Sequence, residues 1–191
     1  MAMSDMASIR AVIASTERTM KITSAMQLVA SSKMAKSQKA MASAKPYAET
    51  ISKLMQKVAE SYEGLHPFFE KRKGKKAVYI VVSSDRGLCG GLNVALFKTF
   101  LKALKQSKQE NICLIGNKAK QFFRRVGGNV LAEVTHIGDK PSKRAIDGVI
   151  KPALDGFLSG EFDEVHLVYN KYVNVMTQEP TVSKLLPIEK S

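Results

Sequence analysis

The stretch from Ser8 to about Glu63 constrains this chain more than any other, because it reads as one continuous helix with no second helix in the sequence able to cover it. At about 1.5 Å of rise per residue, it would be a rod roughly 80 Å long. Its seam steps by threes and fours through Ile9, Ile13, Thr16, Met20, Thr23, Gln27, Ala30 and Met34, then Met41, Ala44, Ala48, Ile51, Met55, Val58 and Tyr62. That alternation is the roughly 3.5-residue period of a coiled coil. Ala, Met, Thr and Ser outnumber Leu and Ile along it, so the helix is marginal alone and needs a partner laid against it. The small residues let that partner's backbone come close. Asp5 or Ser8 is placed to cap the first turn. Pro46 removes one backbone hydrogen bond and crowds the preceding turn, at about 3 kcal/mol. The seam nevertheless keeps its phase across it, so a kink near Ala42–Pro46 is expected rather than an end. The helix is expected to stop around Gly64, before His66-Pro67.

From Arg18 to Ala48 this helix carries Arg18, Lys21, Lys33, Lys36, Lys39 and Lys45 and no acidic residue. The run reads either as a solvated face or as a basic track opposite acidic loops of a partner. The formal net charge of the chain is +13, which calls for an acidic partner: nucleic acid, an anionic membrane or an acidic protein surface. There is no apolar run long enough for a transmembrane helix. Residues 1–10 lack the apolar core of a signal peptide. Cys89 and Cys113 make no metal spacing and no disulfide framework, and fit a reducing compartment.

After the helix the texture changes. Glu70 to Lys76 is a basic linker, read as a solvated connector. Ala77–Val82 is a continuous apolar run of strand formers, as in a central parallel strand covered on both faces. A glycine-rich loop, Ser83–Asn93, leads into a helix from about Leu92 to Lys105. Asn111–Ile115 is a second strand, Lys118–Val126 a short basic helix, and Asn129–His136 a third strand. Pro141 starts a helix to about Leu158, with a bend expected at Pro152, which lacks an N–H. Glu164–Tyr172 is a fourth strand, and Thr181–Leu186 pairs with it as a hairpin across Asn174–Glu179. The fold class is therefore α/β: a long N-terminal coiled-coil helix (1–63), a basic linker (64–76) and a Rossmann-like α/β domain (77–191) with a mainly parallel sheet and an antiparallel edge hairpin.

A glycine-rich loop after the first strand is where a doubly wound sheet often holds phosphate. Ser83–Asn93 fits neither the dinucleotide nor the P-loop pattern, and it places no lysine on a phosphate. Gly87, Gly90 and Gly91 serve equally well to turn the chain at the sheet end. Cys89 is a nucleophile only if a base lies near; Arg86 could lower its pKa, but His66, His136 and His166 are scattered. His66 sits in a loop, the other two in strands. Asp85, Asp139 and Asp147 lack ligand spacing, so neither metal nor cofactor is expected. A nucleotide-binding enzyme using Ser83–Asn93 and a basic nucleic-acid-binding adaptor remain as alternatives. The second lacks any recognition motif.

Lys21-Ile-Thr-Ser-Ala-Met26, Val29-Ala30, Ser32-Lys33-Met34 and Pro46-Tyr-Ala-Glu49 resemble the N-terminal helix of the gamma subunit of F-type ATP synthase. Ser83-Ser-Asp-Arg-Gly-Leu-Cys-Gly-Gly-Leu-Asn93 resembles that family's signature loop, and Gly127-Gly-Asn129 and Pro180–Pro187 are similar to later segments. The resemblance implies a central rotor stalk that transmits torque between the membrane c-ring and the catalytic alpha/beta ring during proton-driven ATP synthesis. It implies a non-catalytic subunit without active site or cofactor. Its partners would be the alpha, beta and epsilon subunits and the c-ring, with no nucleic acid. Its place would be peripheral, on the cytoplasmic face of a bacterial inner membrane or the matrix face of a mitochondrial one. Lys21, Thr23 and Met26 match the stretch near a beta-subunit lever loop, and Lys33, Lys36 and Lys39 would face nearby acidic and polar surfaces. Asp85, Arg86 and Cys89 match the loop that would meet a second lever. Family members continue past Leu185-Leu-Pro187 into a long C-terminal helix, so the resemblance implies that the coiled-coil mate of the first helix is missing from this sequence.

Overall fold

The computed structural model describes residues 2–61, 66–72, 74, 76–104, 110–138 and 141–189. The chain divides into two compact units, Met1–Lys53 and Leu54–Ser191. Helix α1 runs from Ala2 to Ser61. It starts earlier than the sequence reading placed it, so Asp5 and Ser8 lie inside the helix and not at its cap. No glycine or proline interrupts residues 2–8, so nothing there stops the helix from extending. It also passes through Pro46 without ending. The expected stop at Gly64 and the last seam residue, Tyr62, lie outside the described residues. Threonines are tolerated along α1 because their hydroxyls bond back one turn: Thr16 to the Val12 carbonyl at 2.8 Å and Thr50 to that of Pro46 at 2.8 Å.

The second unit is a five-stranded sheet in the order β3-β2-β1-β4-β5. The strands are β1 (Ala77–Val82), β2 (Glu110–Ile115), β3 (Asn129–Val134), β4 (Glu164–Tyr172) and β5 (Gln178–Leu186). The first four are mutually parallel, and β5 pairs antiparallel with β4, as a hairpin edge should. The helices are α2 (Leu92–Leu104), α3 (Asn117–Val126) and α4 (Lys143–Ser159). The expected end of α2 at Lys105 lies outside the described residues.

β1 shows why its sequence is apolar at every position. Tyr79 and Val81 face one core with Leu96, Phe100 and Phe123, under α2 and α3. Val78 and Ile80 face the other, with Val149, Ala153 and Phe157 of α4. A strand buried on both sides has no polar face to show. The last part of α1 belongs to this unit too, and Ala59 there is fully buried.

Three boundaries differ from expectation for identifiable reasons. α4 begins at Lys143 and not at Pro141, because the Ser142 hydroxyl takes the N–H of Ala145 at 3.3 Å as a cap. β5 begins at Gln178, since the Asn174 side chain closes a tighter turn by accepting the N–H groups of Met176 and Thr177 at 2.9 Å. β3 stops at Val134, so His136 is not in a strand. Its φ is +59°, and its N–H leaves the sheet for Asp85 at 2.9 Å.

The linker is not merely solvated either. Arg72 donates to the carbonyls of Phe157 at 2.5 Å and Phe162 at 2.7 Å, and its guanidinium lies 4.3 Å from the Phe157 ring centre. A cation on the carbonyls of Phe157, in the last turn of α4, and of Phe162, just beyond it, adds a donor where the helix runs out of its own.

Candidate functional site

Ser83–Asn93 connects β1 to α2, and its serines, Asp85, Cys89 and Asn93 are turned inward while Arg86 is exposed. The Asn93 amide donates to Ser84 Oγ at 2.8 Å and to Cys89 Sγ at 3.3 Å, while Asn93 Oδ1 accepts the Ser84 N–H at 3.2 Å. One buried side chain thus ties the two ends of the loop together. On the other side the loop closes over the start of α3. Asn117 N–H donates to Asp85 Oδ1 at 2.9 Å, Lys118 N–H to the Ser84 carbonyl at 3.0 Å, and Ala119 N–H to Ser83 Oγ at 2.8 Å.

This arrangement bears on the phosphate question. The N–H groups that open a helix are what an anion binds, and in α3 they are already taken by the loop's own serines and aspartate. The residue before α3, Gly116, brings no side-chain cap of its own, so Ser83 and Asp85 supply the cap from a distance in sequence. The loop's serines and aspartate are thus spent on structure.

Asp85 also accepts the His136 N–H, joining the loop to the end of β3. Burial pushes its carboxyl up. The N–H groups of His136, Asn117 and Ile137 and the charge on His136 together outweigh that, and hold it below the ordinary carboxylate range. A depressed folded-state pKa means stability that is fully present above the unfolded value and lost as pH falls through the folded one. Asp85→Ala is therefore expected to cost about 1–3 kcal/mol at neutral pH, the loss of charge-assisted bonds to backbone N–H groups. Asp85→Asn should cost less and should flatten the decline of stability below about pH 4. Urea unfolding at pH 7 and pH 3 measures both; identical acid sensitivity in wild type and Asp85→Asn would remove Asp85 from this role.

Cys89 is half-buried. Its sulfur accepts from Asn93 and lies 3.9 Å from the Ser84 hydroxyl. Neither neighbour is a base able to take its proton, so the loop shows none of the geometry of an activated thiol. Among the described residues, no group of His, Cys, Asp and Glu could hold a metal ion; Asp139 lies outside them. His166 bonds Glu164 at 2.8 Å and stacks on Tyr79.

Of the predicted contact residues on α1, Lys21, Thr23, Met26, Lys33 and Lys36 are all exposed. They do not form one patch. With about 100° per residue, Met26 and Lys33 fall nearly in line, Thr23 about 60° away, Lys36 about 80° and Lys21 about 140°. Thr23 spends its hydroxyl on the Thr19 carbonyl at 2.8 Å, so its methyl is what it offers a partner. Of the loop residues, Asp85 and Cys89 are held inward as described, and Arg86 is exposed.

Sequence reasoning missed the most exposed apolar residue of the loop. Leu88 is 96% accessible at φ +62°, a backbone region a leucine rarely enters. It stands at the mouth of a cleft of about 490 Å³ between α2 and α3. A second cleft of about 570 Å³ opens on the opposite core, lined almost wholly by apolar residues such as Ile80, Ile150, Leu154 and Leu167.

A family model described as ATP synthase matches residues 5–191. The chain is 44% identical over 186 residues to the ATP synthase gamma chain of Nitrosococcus oceani, covering 95% of this chain and 64% of that protein. It is 46% identical over 185 residues to the ATP synthase gamma chain of Glaesserella parasuis, covering 94% of this chain and 64% of that protein. It thus spans just under two thirds of the length of these curated relatives. Among solved structures, a chain of the Tetrahymena thermophila mitochondrial ATP synthase central stalk and c-ring superposes with a TM-score of 0.68 at 23% identity, covering 87% of this chain and 72% of that one. At that identity the likeness speaks for the fold.

Proposed function

This chain belongs to the ATP synthase gamma-chain family, and we propose on that footing that it is rotor-stalk material: a torque-transmitting part of an ATP synthase with no active site of its own. Its α1 would turn inside the ring of alpha and beta subunits. Its α/β unit would sit nearer the epsilon subunit and the c-ring, on the cytoplasmic face of a bacterial inner membrane or the matrix face of a mitochondrial one. Proton flow would enter as rotation and leave as conformational change in beta.

The observation that carries this reading is the distribution of exposed apolar residues on α1. Met20 is 61% accessible, Met26 53% and Leu28 75%. About 240° separates Met26 from Met20 around the axis, and about 80° separates Leu28 from it. A coiled-coil mate covers one stripe. Apolar residues on three sides call for protein on three sides, as a shaft within a ring would have. The basic run from Arg18 to Lys45 suits acidic surfaces on the surrounding subunits.

Lys21, Thr23, Met26, Lys33 and Lys36 are then proposed contacts of the shaft, each meeting a different part of the ring in turn. Asp85, Arg86 and Cys89 are proposed to shape the loop that meets a beta lever, with Asp85 acting through the loop's fold. Met26 suits a sliding contact because its side chain is unbranched and adaptable. Met26→Lys would put an unpaired charge into that contact, and is expected to lower ATP-driven proton pumping several-fold in membranes carrying the assembled complex, at similar subunit content. Unchanged pumping would remove Met26 from the contact.

Co-expression with tagged beta and untagged alpha subunits tests the reading as a whole. The chain is expected to co-purify with the ring and, when isolated, to retain no ATP in equilibrium dialysis. An isolated chain that binds ATP tightly and ignores the ring would favour the enzyme reading instead.

A further inference from the structure

We infer that Arg72 is a positioning residue: with Phe68 and Asp163 it straps the segment after α1 to the junction of α4 and β4, so that the α/β unit turns with the shaft and does not trail behind it. The inference rests on the rotor reading and adds to it the joint through which torque enters the α/β unit.

Within this chain, rotation enters the α/β unit through the foot of α1 and through the chain that runs on from it. The foot grips little: among the described residues of α1, Ala59 alone is buried. A charged connector left free would be a flexible coil, and would absorb twist before passing it on. Of that connector the structure describes residues 66–72, 74 and 76, and it is held at three points. Pro67–Phe69 is a 3-10 turn capped by His66 Nδ1, which accepts the Phe68 N–H at 3.3 Å. The turn sets the Phe68 ring 6.2 Å from that of Phe157, and the Phe68 carbonyl accepts the Ile188 N–H at 2.7 Å. Next comes Arg72, on the carbonyls of Phe157 and Phe162 and over the Phe157 ring. Last, the Asp163 carboxylate accepts the Lys76 N–H at 3.0 Å, and the Asp163 N–H donates to the Lys76 carbonyl at 2.7 Å. Gly74 passes so close to the Asp163 carboxylate that an added side chain would strike it.

All three points meet the stretch Phe157–Asp163, and that stretch is itself fixed. Gly160 closes α4 at φ +83°, and the N–H groups of Glu161 and Phe162 return to the Gly156 carbonyl at 2.8 and 3.1 Å. Phe157 and Phe162 are both buried, so Arg72 pulls on the core and not on a surface loop. Arg72 is the one charged donor among the three anchors, and a charged donor holds a carbonyl more strongly than a neutral one. Its planar fork spans two carbonyls while its face rests on an aromatic ring, which fixes direction as well as position. A lysine or a backbone N–H would hold one of these groups and leave the segment free to swivel.

The test follows variants of the full chain, first alone and then in membranes carrying the assembled complex. Arg72→Ala is expected to raise amide exchange in residues 66–76 by about tenfold or more while β1, β2 and β4 keep their protection. In the complex it should lower ATP-driven proton pumping several-fold for each ATP hydrolysed, at similar subunit content. Lys71→Ala removes a neighbouring exposed charge and should alter neither quantity. A destabilised unit would also pump poorly, so the deciding sample is Arg72→Ala combined with Gly74→Cys and Asp163→Cys, two positions the backbone already brings together. Closing that disulfide straps the segment without Arg72. Pumping per ATP should be high in the oxidised preparation and fall when the same preparation is reduced. Faster exchange with unchanged pumping per ATP in Arg72→Ala would show a strap that bears no load, and would overturn the inference while leaving the rotor reading intact. Pumping indifferent to the closed disulfide would do the same. A wild-type chain that fails to co-purify with the ring would overturn the rotor reading itself, and this inference with it.

Discussion

Replacing Phe100 with alanine is expected to lower the unfolding free energy of the α/β unit by about 3–5 kcal/mol. Phe100 is fully buried. Its ring lies 5.0 Å from that of Tyr79 on the central strand and 5.6 Å from that of Phe123 on α3, both edge-to-face. It therefore joins sheet, α2 and α3 at one point. Removing it loses the transfer free energy of the ring, leaves a cavity that two rigid neighbours cannot fill, and breaks two aromatic contacts. The chain has no tryptophan, so tyrosine fluorescence, with Tyr79 beside the lesion, can follow urea unfolding directly. A loss below about 1 kcal/mol would mean that the site collapses around the smaller side chain. Because α1 is thinly apolar, its own melting should be followed separately by circular dichroism and not folded into the same transition.

Gly116→Ala is expected to cost nearly as much, about 2–5 kcal/mol, for a different reason. Gly116 ends β2 at φ +100°, where a side chain is strained whatever the space. The space is also absent: an added Cβ would lie 2.3 Å from the Ser83 carbonyl oxygen and 2.7 Å from its hydroxyl. The neighbour is backbone, and it is the backbone from which the Ser83–Asn93 loop departs. Relief would require moving Ser83, whose hydroxyl caps α3 at Ala119, and with it the grip of Asp85 on Asn117. The substitution should therefore weaken the cap and the loop together. Combining Gly116→Ala with Asp85→Ala should cost less than the sum of the two, since both act on the same joint. Full additivity in a double-mutant cycle would show that the two positions act independently.

The sequence was informative where a signal is local and repeated. α1 announces itself through dozens of consecutive positions of one period, and β1 through an unbroken apolar run. The parallel sheet with an antiparallel edge followed from alternation of strand and helix. What was not legible depends on partners far away in the chain. Arg72 sits in a basic run that looks like a solvated linker, yet its acceptors are the carbonyls of Phe157 and Phe162, which no local pattern reveals. His136 looked like the end of a strand because only the Asp85 carboxylate, on another loop, draws its N–H away. The Ser83–Asn93 loop raises the phosphate question through its glycines, and no local pattern shows that Ser83 and Asp85 are spent on capping α3. The outward Leu88 had one weak signal, a lone leucine among glycines, which no hydrophobic period explains. Even on α1 the thin seam was only part of the pattern: Ile22, Leu28 and Val29 are exposed off it, and they are what turns one partner into several.

Hydrogen–deuterium exchange along residues 9–51, with the chain free and then assembled with alpha and beta subunits, decides whether α1 is built to be enclosed. In the free chain these amides should exchange readily, as expected for a long helix with little packed against it. On assembly, protection should rise at Met20, Met26 and Leu28 alike, on all three sides of the helix. Protection confined to one stripe, or unchanged by the ring, would contradict a shaft that turns inside other proteins.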